Sequence, residues 1–161
     1  MYIQGHGRCN MNTPVEKKGF IQINIVVSDI EKAAAKWADL LGIEKPAIHL
    51  NHLEGNENYT YRGKPVSCDL KVCNIYFDNF VIELHEPAGG ESSFQEFLDK
   101  HGNGVHHLGF EVGDKRDTVI AELTEAGYDT NRTLGIYPGS SWTIVDSEDD
   151  LGVNLNIKPV R

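Results

Sequence analysis

The second half of this chain repeats the first. Gly19, Gln22, Val27, Asp29 and Gly42 return as Gly104, His107, Val112, Asp114 and Gly127, every pair 85 residues apart. Each copy reads as a strand, a short turn ending in an acid, a helix and a glycine stop. One such unit is too small to bury its own sheet face, so the two copies are expected to pack into one sheet. Duplication also sets corresponding strand positions face to face across a pseudo-two-fold. Gln22 and His107 occupy those positions, one potential metal ligand from each copy.

Residues 20–27 (FIQINIVV) are rich in β-branched side chains, and Gln22 and Asn24 alternate against Ile21, Ile23 and Ile25. That is a strand with one more polar face. Ser28 and Glu31 form a capping box that predicts the start of a helix. Ile30, Ala34, Trp37 and Leu41 keep helical spacing up to Gly42, and Trp37, Leu40 and Leu41 are assigned to the core. In the second copy a strand covers 105–112 and a helix runs through Val119, Ile120 and Leu123 to Gly127. Strand-like pieces follow each helix, at 47–50, 70–77 and 81–85, then at 128–133, 142–145 and 153–157. Asp78-Asn79 predicts a tight hairpin turn. Its counterpart at 146–152 is longer and acidic and reads as a solvated loop. Ser92 or Ser93 caps a short helix (FQEFLDKH) ended by Gly102. Residues 51–65 and 135–141 read as surface loops, the first carrying Tyr59, Tyr61 and Arg62 and placed to cover a site.

At 161 residues the chain is one domain by length. A polar tail occupies 1–18 and a single domain 19–161, with module one at 19–88, a connecting helix at 89–103 and module two at 104–161. The net charge of −9 argues against nucleic acid or an anionic membrane as partner. It leaves room for a local basic pocket that takes an anionic small molecule. No apolar run approaches the ~20 residues of a membrane span, and the N-terminal residues lack the apolar middle of a signal peptide. Cys9, Cys68 and Cys73 form an odd count without a close pair, which favours reduced thiols in a cytoplasm over a disulfide framework. Met11, followed by Asn-Thr-Pro, is a candidate native start that would make the first ten residues a leader.

Two tandem βαβββ modules resemble the vicinal oxygen chelate superfamily, which includes glyoxalase I, methylmalonyl-CoA epimerase, extradiol dioxygenases and bleomycin-resistance proteins. The resemblance spans residues 19–159. Its segments VIELHEP (81–87), FQEFLDKHGNGVHHLGFEV (94–112) and DLGVNLNI (150–157) are most similar to methylmalonyl-CoA epimerases and their relatives. It implies an α+β fold in which the modules form one cupped, eight-stranded mixed sheet, and assembly into a homodimer. It also implies a metal site drawn from the first and last strand of each module, which here means Gln22, Glu83, His107 and Asn156. A carboxylate and an imidazole suit Mn, Co, Ni or Zn. A glutamine oxygen is a weaker neutral ligand that family members use at the Gln22 position. Asn156 departs from the family, which usually has a glutamate there that both ligates and carries a proton. The divalent ion is therefore expected to be weakly bound or absent.

The second acid–base position of the epimerases falls near Val72, between Lys71 and Cys73, where no carboxylate stands. His85 lies two residues from Glu83 on the same strand face and is the substitute base; His106 is expected on the opposite face from His107. Glu83 and His85 are thus the candidate catalytic pair. Each residue also has a plain reading: His107 as a core histidine, Glu83 as a solvated strand position, Gln22 and Asn156 as structural polar groups. Three functions stay open. The first is a metal-dependent isomerase or lyase, methylmalonyl-CoA epimerase-like, acting on a small carbonyl or thioester through an enolate-type intermediate. The second is a glyoxalase I-like lyase acting on a thiol hemithioacetal. The third is a non-catalytic, resistance-type binding protein whose metal site has decayed.

Overall fold

The computed structural model describes residues 11–160, so the suggested leader and Cys9 lie outside the described residues. Its strands are β1 (Phe20–Val26), β2 (Ile48–Leu53), β3 (Tyr59–Tyr61), β4 (Lys64–Pro65), β5 (Cys68–Tyr76), β6 (Val81–Gly90), β7 (Gly104–Glu111), β8 (Asp129–Tyr137), β9 (Ser140–Asp146) and β10 (Asn154–Lys158). Its helices are α1 (Ile30–Leu41), α2 (Ser93–His101), α3 (Arg116–Glu125) and α4 (Glu148–Leu151). The strands form one curled mixed sheet in the order β2-β5-β6-β1-β7-β10-β9-β8-β3-β4. At its centre β1 runs antiparallel to β7, and each pairs in parallel with the last strand of its own half, β6 or β10.

The sheet has ten strands where eight were expected. The difference comes from 51–65, which is not a plain loop. β2 continues to Leu53, and Tyr59–Tyr61 pairs antiparallel with β8, Tyr61 opposite Thr133. Tyr-Thr-Tyr favours a pleated strand, and β8 would otherwise leave an open edge. Tyr61 and Arg62 then fasten this hairpin to Glu96 of α2, Arg62 Nη2 donating to Oε1 at 2.6 Å. Residues 135–141 are likewise mostly strand, with Pro138 and Gly139 alone between β8 and β9.

α1 begins one residue later than its capping box suggests. Asp29 is the N-cap, and its carboxylate accepts from the Lys32 N–H at 3.0 Å. A carboxylate there also complements the helix dipole, which a serine does not. Gly42 ends the helix in the left-handed conformation (φ 64°). Ile30 and Ala34 pack on Cys73, Ile75, Ile82 and Leu84, the outer face of β5 and β6. Leu40 lies off that stripe and is 74% exposed, so its assignment to the core fails on helical geometry, and Leu41 is only partly covered. α3 covers the other half through Val119 and Leu123 on Val145 and Ile157. α2 packs on the opposite, inner face, where Phe94 and Phe97 join Val26, Leu70 and Val72. With Ile82 and Leu84 spent on α1, strand alternation turns Glu83 and His85 inward.

The acidic stretch 146–152 is also more than a solvated loop. It contains α4, and Asp146 faces Arg132, a β8 residue only 1% exposed. Arg132 Nη1 donates to Asp146 Oδ1 and Asn154 Oδ1, both at 2.9 Å. A guanidinium this deeply buried needs such partners to offset its desolvation. No helix among the described residues is long and apolar enough to cross a membrane.

Candidate functional site

The register of the central strands assembles the site. Across β1 and β7, Asn24 stands opposite His107 and Gln22 opposite Gly109, so Gln22 and His107 are diagonal neighbours rather than face to face. A Cβ on Gly109 would lie 2.6 Å from Gln22 Oε1 and 2.7 Å from Gln22 Cβ. The bare glycine is what lets Gln22 lie across β7. The parallel strands add Glu83 beside Asn24 and Asn156 beside Gly109. Gln22, Glu83, His107 and Asn156 therefore converge. Gln22 Nε2 donates to Glu83 Oε2 at 2.7 Å, and Asn156 Nδ2 donates to Gln22 Oε1 at 3.1 Å. His107 Nε2 lies 3.3 Å from Gln22 Oε1 and 3.5 Å from Asn156 Nδ2.

Glu83 Oε2 also receives Asn24 Nδ2 at 3.3 Å and faces His85 Nε2 at 3.4 Å. Burial acts to raise the Glu83 pKa, but the pairing with His85 and these hydrogen bonds outweigh it and hold the carboxyl below its usual range. A carboxylate this well tied is a weak proton acceptor. His85 is better placed. Glu83 can only accept, so His85 Nε2 carries the hydrogen between them. His85 Nδ1 is buried without a partner among the described residues, and the residue lines the cavity, its ring edge-on to Phe94 at 4.6 Å.

Alternation puts His106 on the other face from His107, but a β-bulge intervenes. The register passes from His107 opposite Asn24 straight to Val105 opposite Ile25, leaving His106 unpaired in the ladder. Both rings therefore turn to the same side, with Nδ1 atoms 2.8 Å apart, and His106 Nε2 reaches the Ser93 carbonyl at 3.2 Å. Burial, reinforced by Arg132 and His85, pushes His106 down to about 3; burial and His106 likewise hold His107 well below the ordinary histidine range. Each ring is neutral and owns a single N–H. The Ser93 carbonyl only accepts, so His106 places its hydrogen on Nε2 and offers a lone pair at Nδ1. His107 then donates from Nδ1 and keeps a lone pair on Nε2. The 3.3 Å approach of His107 to Gln22 is thus a meeting of two lone pairs, reconciled by the Asn156 amide donating between them.

That amide decides the fit to a metal. Gln22 Oε1, His107 Nε2 and Glu83 offer electron pairs, as a divalent cation requires. Asn156 does not, because its oxygen accepts from the Thr143 N–H at 3.1 Å and its N–H groups point at Gln22 and His107. The four residues as arranged do not fit a four-ligand metal centre. Among the described residues, no group of three or more His, Cys, Asp or Glu side chains is arranged to hold a metal ion.

Above these groups lies a cavity of about 210 Å³ with walls including Leu53, Leu70, Val72, Phe94 and Trp142. Val72 is opposite His85 across β5 and β6, so the wall near the expected second carboxylate is apolar. Trp142 and Lys158 also line the cavity and Asn24 donates to Glu83, none of them marked as a site residue by the sequence. Alternation along β10 could have found Lys158, two residues beyond Asn156. Trp142 needs Gly135, where a Cβ would meet the indole Nε1 at 2.1 Å, and no sequence spacing announces that pairing.

Residues 21–144 match the family model described as the Glyoxalase/Bleomycin resistance protein/Dioxygenase superfamily. Among solved structures, methylmalonyl-CoA epimerase from Mycobacterium tuberculosis is similar at 22% identity, covering 95% of this chain and 95% of that one, with a TM-score of 0.58. A hypothetical protein from Bacillus halodurans C-125 is similar at 22% identity over 86% of this chain and 91% of that one, TM-score 0.58. A variant methylmalonyl-CoA epimerase from Streptomyces coelicolor, in complex with 2-nitronate-propionyl-CoA, is similar at 23% identity, covering 90% and 94%, TM-score 0.54. At these identities the likeness is one of fold. No protein of curated function matches the sequence.

Proposed function

The chain belongs to the glyoxalase/bleomycin resistance/dioxygenase superfamily, and from that membership we propose an isomerase or lyase that moves a proton next to a small carbonyl or thioester. The reaction is of the methylmalonyl-CoA epimerase type, through an enolate-like intermediate. One observation carries this reading: the Glu83–His85 pair on the floor of an apolar-walled cavity, with His85 Nδ1 unpartnered. Glu83 fixes the ring and keeps the hydrogen on Nε2, and the Nδ1 lone pair is the base. His85 Nδ1 takes the α-proton and returns it to the enolate carbon, which balances the exchange without a proton from His107, whose Nε2 carries none. No step is routed through a metal, since the donor set does not fit one.

The test is exchange of the α-proton of methylmalonyl-CoA in D₂O, followed by proton NMR. His85→Gln is expected to slow it by roughly 100-fold, the usual worth of a positioned general base. Equal rates in the two proteins would sink the assignment of His85. Parallel trials with the hemithioacetal of methylglyoxal and glutathione address the lyase alternative. Resistance-type binding without turnover is favoured by one observation, the Asn156 amide filling the place of a ligand, and predicts no exchange with either compound.

The proposal extends to a homodimer in a reducing compartment. β2 is an edge strand with Leu50 66% exposed, and Cys68 and Cys73 are free and buried. Light scattering at micromolar concentration is expected to return twice the chain mass; a monomer there would count against it.

A further inference from the structure

Lys158 is the cation the site leaves uncommitted. It follows Asn156 by two residues on β10, so both present to the inner face. It lines the substrate cavity and also a neighbouring one of about 490 Å³, shared with Gln22, Glu83 and Tyr76. Its charge reaches Glu83 and His107. Yet it pairs with no carboxylate among the described residues, not even Glu111 opposite it on β7. Glu83 Oε2 is engaged instead by Gln22, Asn24 and His85.

We propose that Lys158 is the seat of a ligand carboxylate, which makes the preferred ligand a monoanionic carboxylic acid on a small, apolar, branched body. This deepens the reading of the cavity as a substrate site and rests on it. Charge limits the class. Lys158 meets one anionic group, and each further negative charge on a ligand adds repulsion from the nearby Glu83 carboxylate, which disfavours a phosphate dianion. The apolar walls and the volume of about 210 Å³ ask for a compact hydrocarbon body rather than a sugar.

Isobutyrate and isobutyramide share one body and differ in charge, so they are the probes, with inorganic phosphate as a third arm. Calorimetry or NMR titration is expected to show isobutyrate binding about ten-fold tighter than the amide, the worth of one charge-assisted hydrogen bond. Lys158→Met should bring isobutyrate down to the level of the amide, and Lys158→Arg should restore the preference. Circular dichroism of each variant confirms that it is folded. Equal binding of the two probes, no binding of either, a preference that survives Lys158→Met, or tighter binding of phosphate would each overturn the proposal. Proton exchange on methylmalonyl-CoA with KM unchanged by Lys158→Met would leave the reaction standing and remove this seat. Lys158-dependent carboxylate binding without exchange would do the reverse.

Discussion

Exchanging Asn156 for a carboxylate is expected to turn the cup into a divalent-metal site. In Asn156→Asp the shape is kept and one oxygen can still accept from Thr143 N–H. The other oxygen replaces the N–H donor that now faces Gln22 Oε1 and His107 Nε2. Without a cation, electron pairs then confront one another, at a cost of roughly 1–3 kcal/mol in stability. With Mn, Co, Ni or Zn the same pairs become ligands. Asn156→Glu adds one methylene of reach and loses the Thr143 bond. Affinity for these ions should rise by roughly 100-fold in at least one of the two variants, since even groups that only orient a ligand are worth about 10–100-fold. Adding Glu83→Gln should remove the gain by deleting an anionic donor. Titration calorimetry reads the affinity, and the rise in melting temperature on adding metal reads it independently. Unchanged affinity in both single variants would leave the ligand-set reading of these four positions without support.

How far the sequence reveals this site depends on which physical rule governs each residue. Gln22, Glu83, His107 and Asn156 obey strand alternation within a duplicated unit, so their convergence could be read from spacing and resemblance. His106 could not, because a bulge breaks the period of two just beside His107. The register itself was legible only to within a step: the Gln22 and His107 positions are diagonal, and Gly109 is what brings the side chains together. Arg132 and Glu148 look like solvated charges because burial of a charge is decided by partners distant in sequence. The hairpin at Tyr59–Tyr61 was hidden for a similar reason. A three-residue strand carries little periodicity, and its place follows from the open edge of β8 and the anchor at Glu96. The orientation of the Asn156 amide lies beyond any sequence pattern, since the Thr143 N–H and Gln22 Oε1, both distant in sequence, set it.

The buried histidine pair is expected to make the fold acid-labile well above the range where carboxylates titrate. The ordinary histidine value of about 6.5 holds in the unfolded chain. In the fold His106 is held down to about 3, and His107 is displaced in the same direction. Between these values the unfolded chain binds more protons than the folded one, so stability is full above pH 6.5 and falls as the pH drops toward 3. By pH 5 the loss from His106 alone is about 2 kcal/mol, and His107 adds to it. Glu83 and Glu148, whose folded values are lowered, begin to contribute only once the pH falls below the ordinary glutamate range. His52, raised by Asp69 and Glu54, acts in the opposite sense, but it is exposed and its pairs are screened by solvent. Denaturant unfolding at pH 7.5, 6.5, 5.8 and 5.0 separates these contributions. His106→Gln, which keeps a donor for Ser93 but cannot titrate, should flatten the slope across that window even though it lowers stability throughout. A wild-type profile that is level from 7.5 to 5.0, or an equally steep one in His106→Gln, would contradict the neutral, relayed pair and with it the lone pair assigned to His107 Nε2.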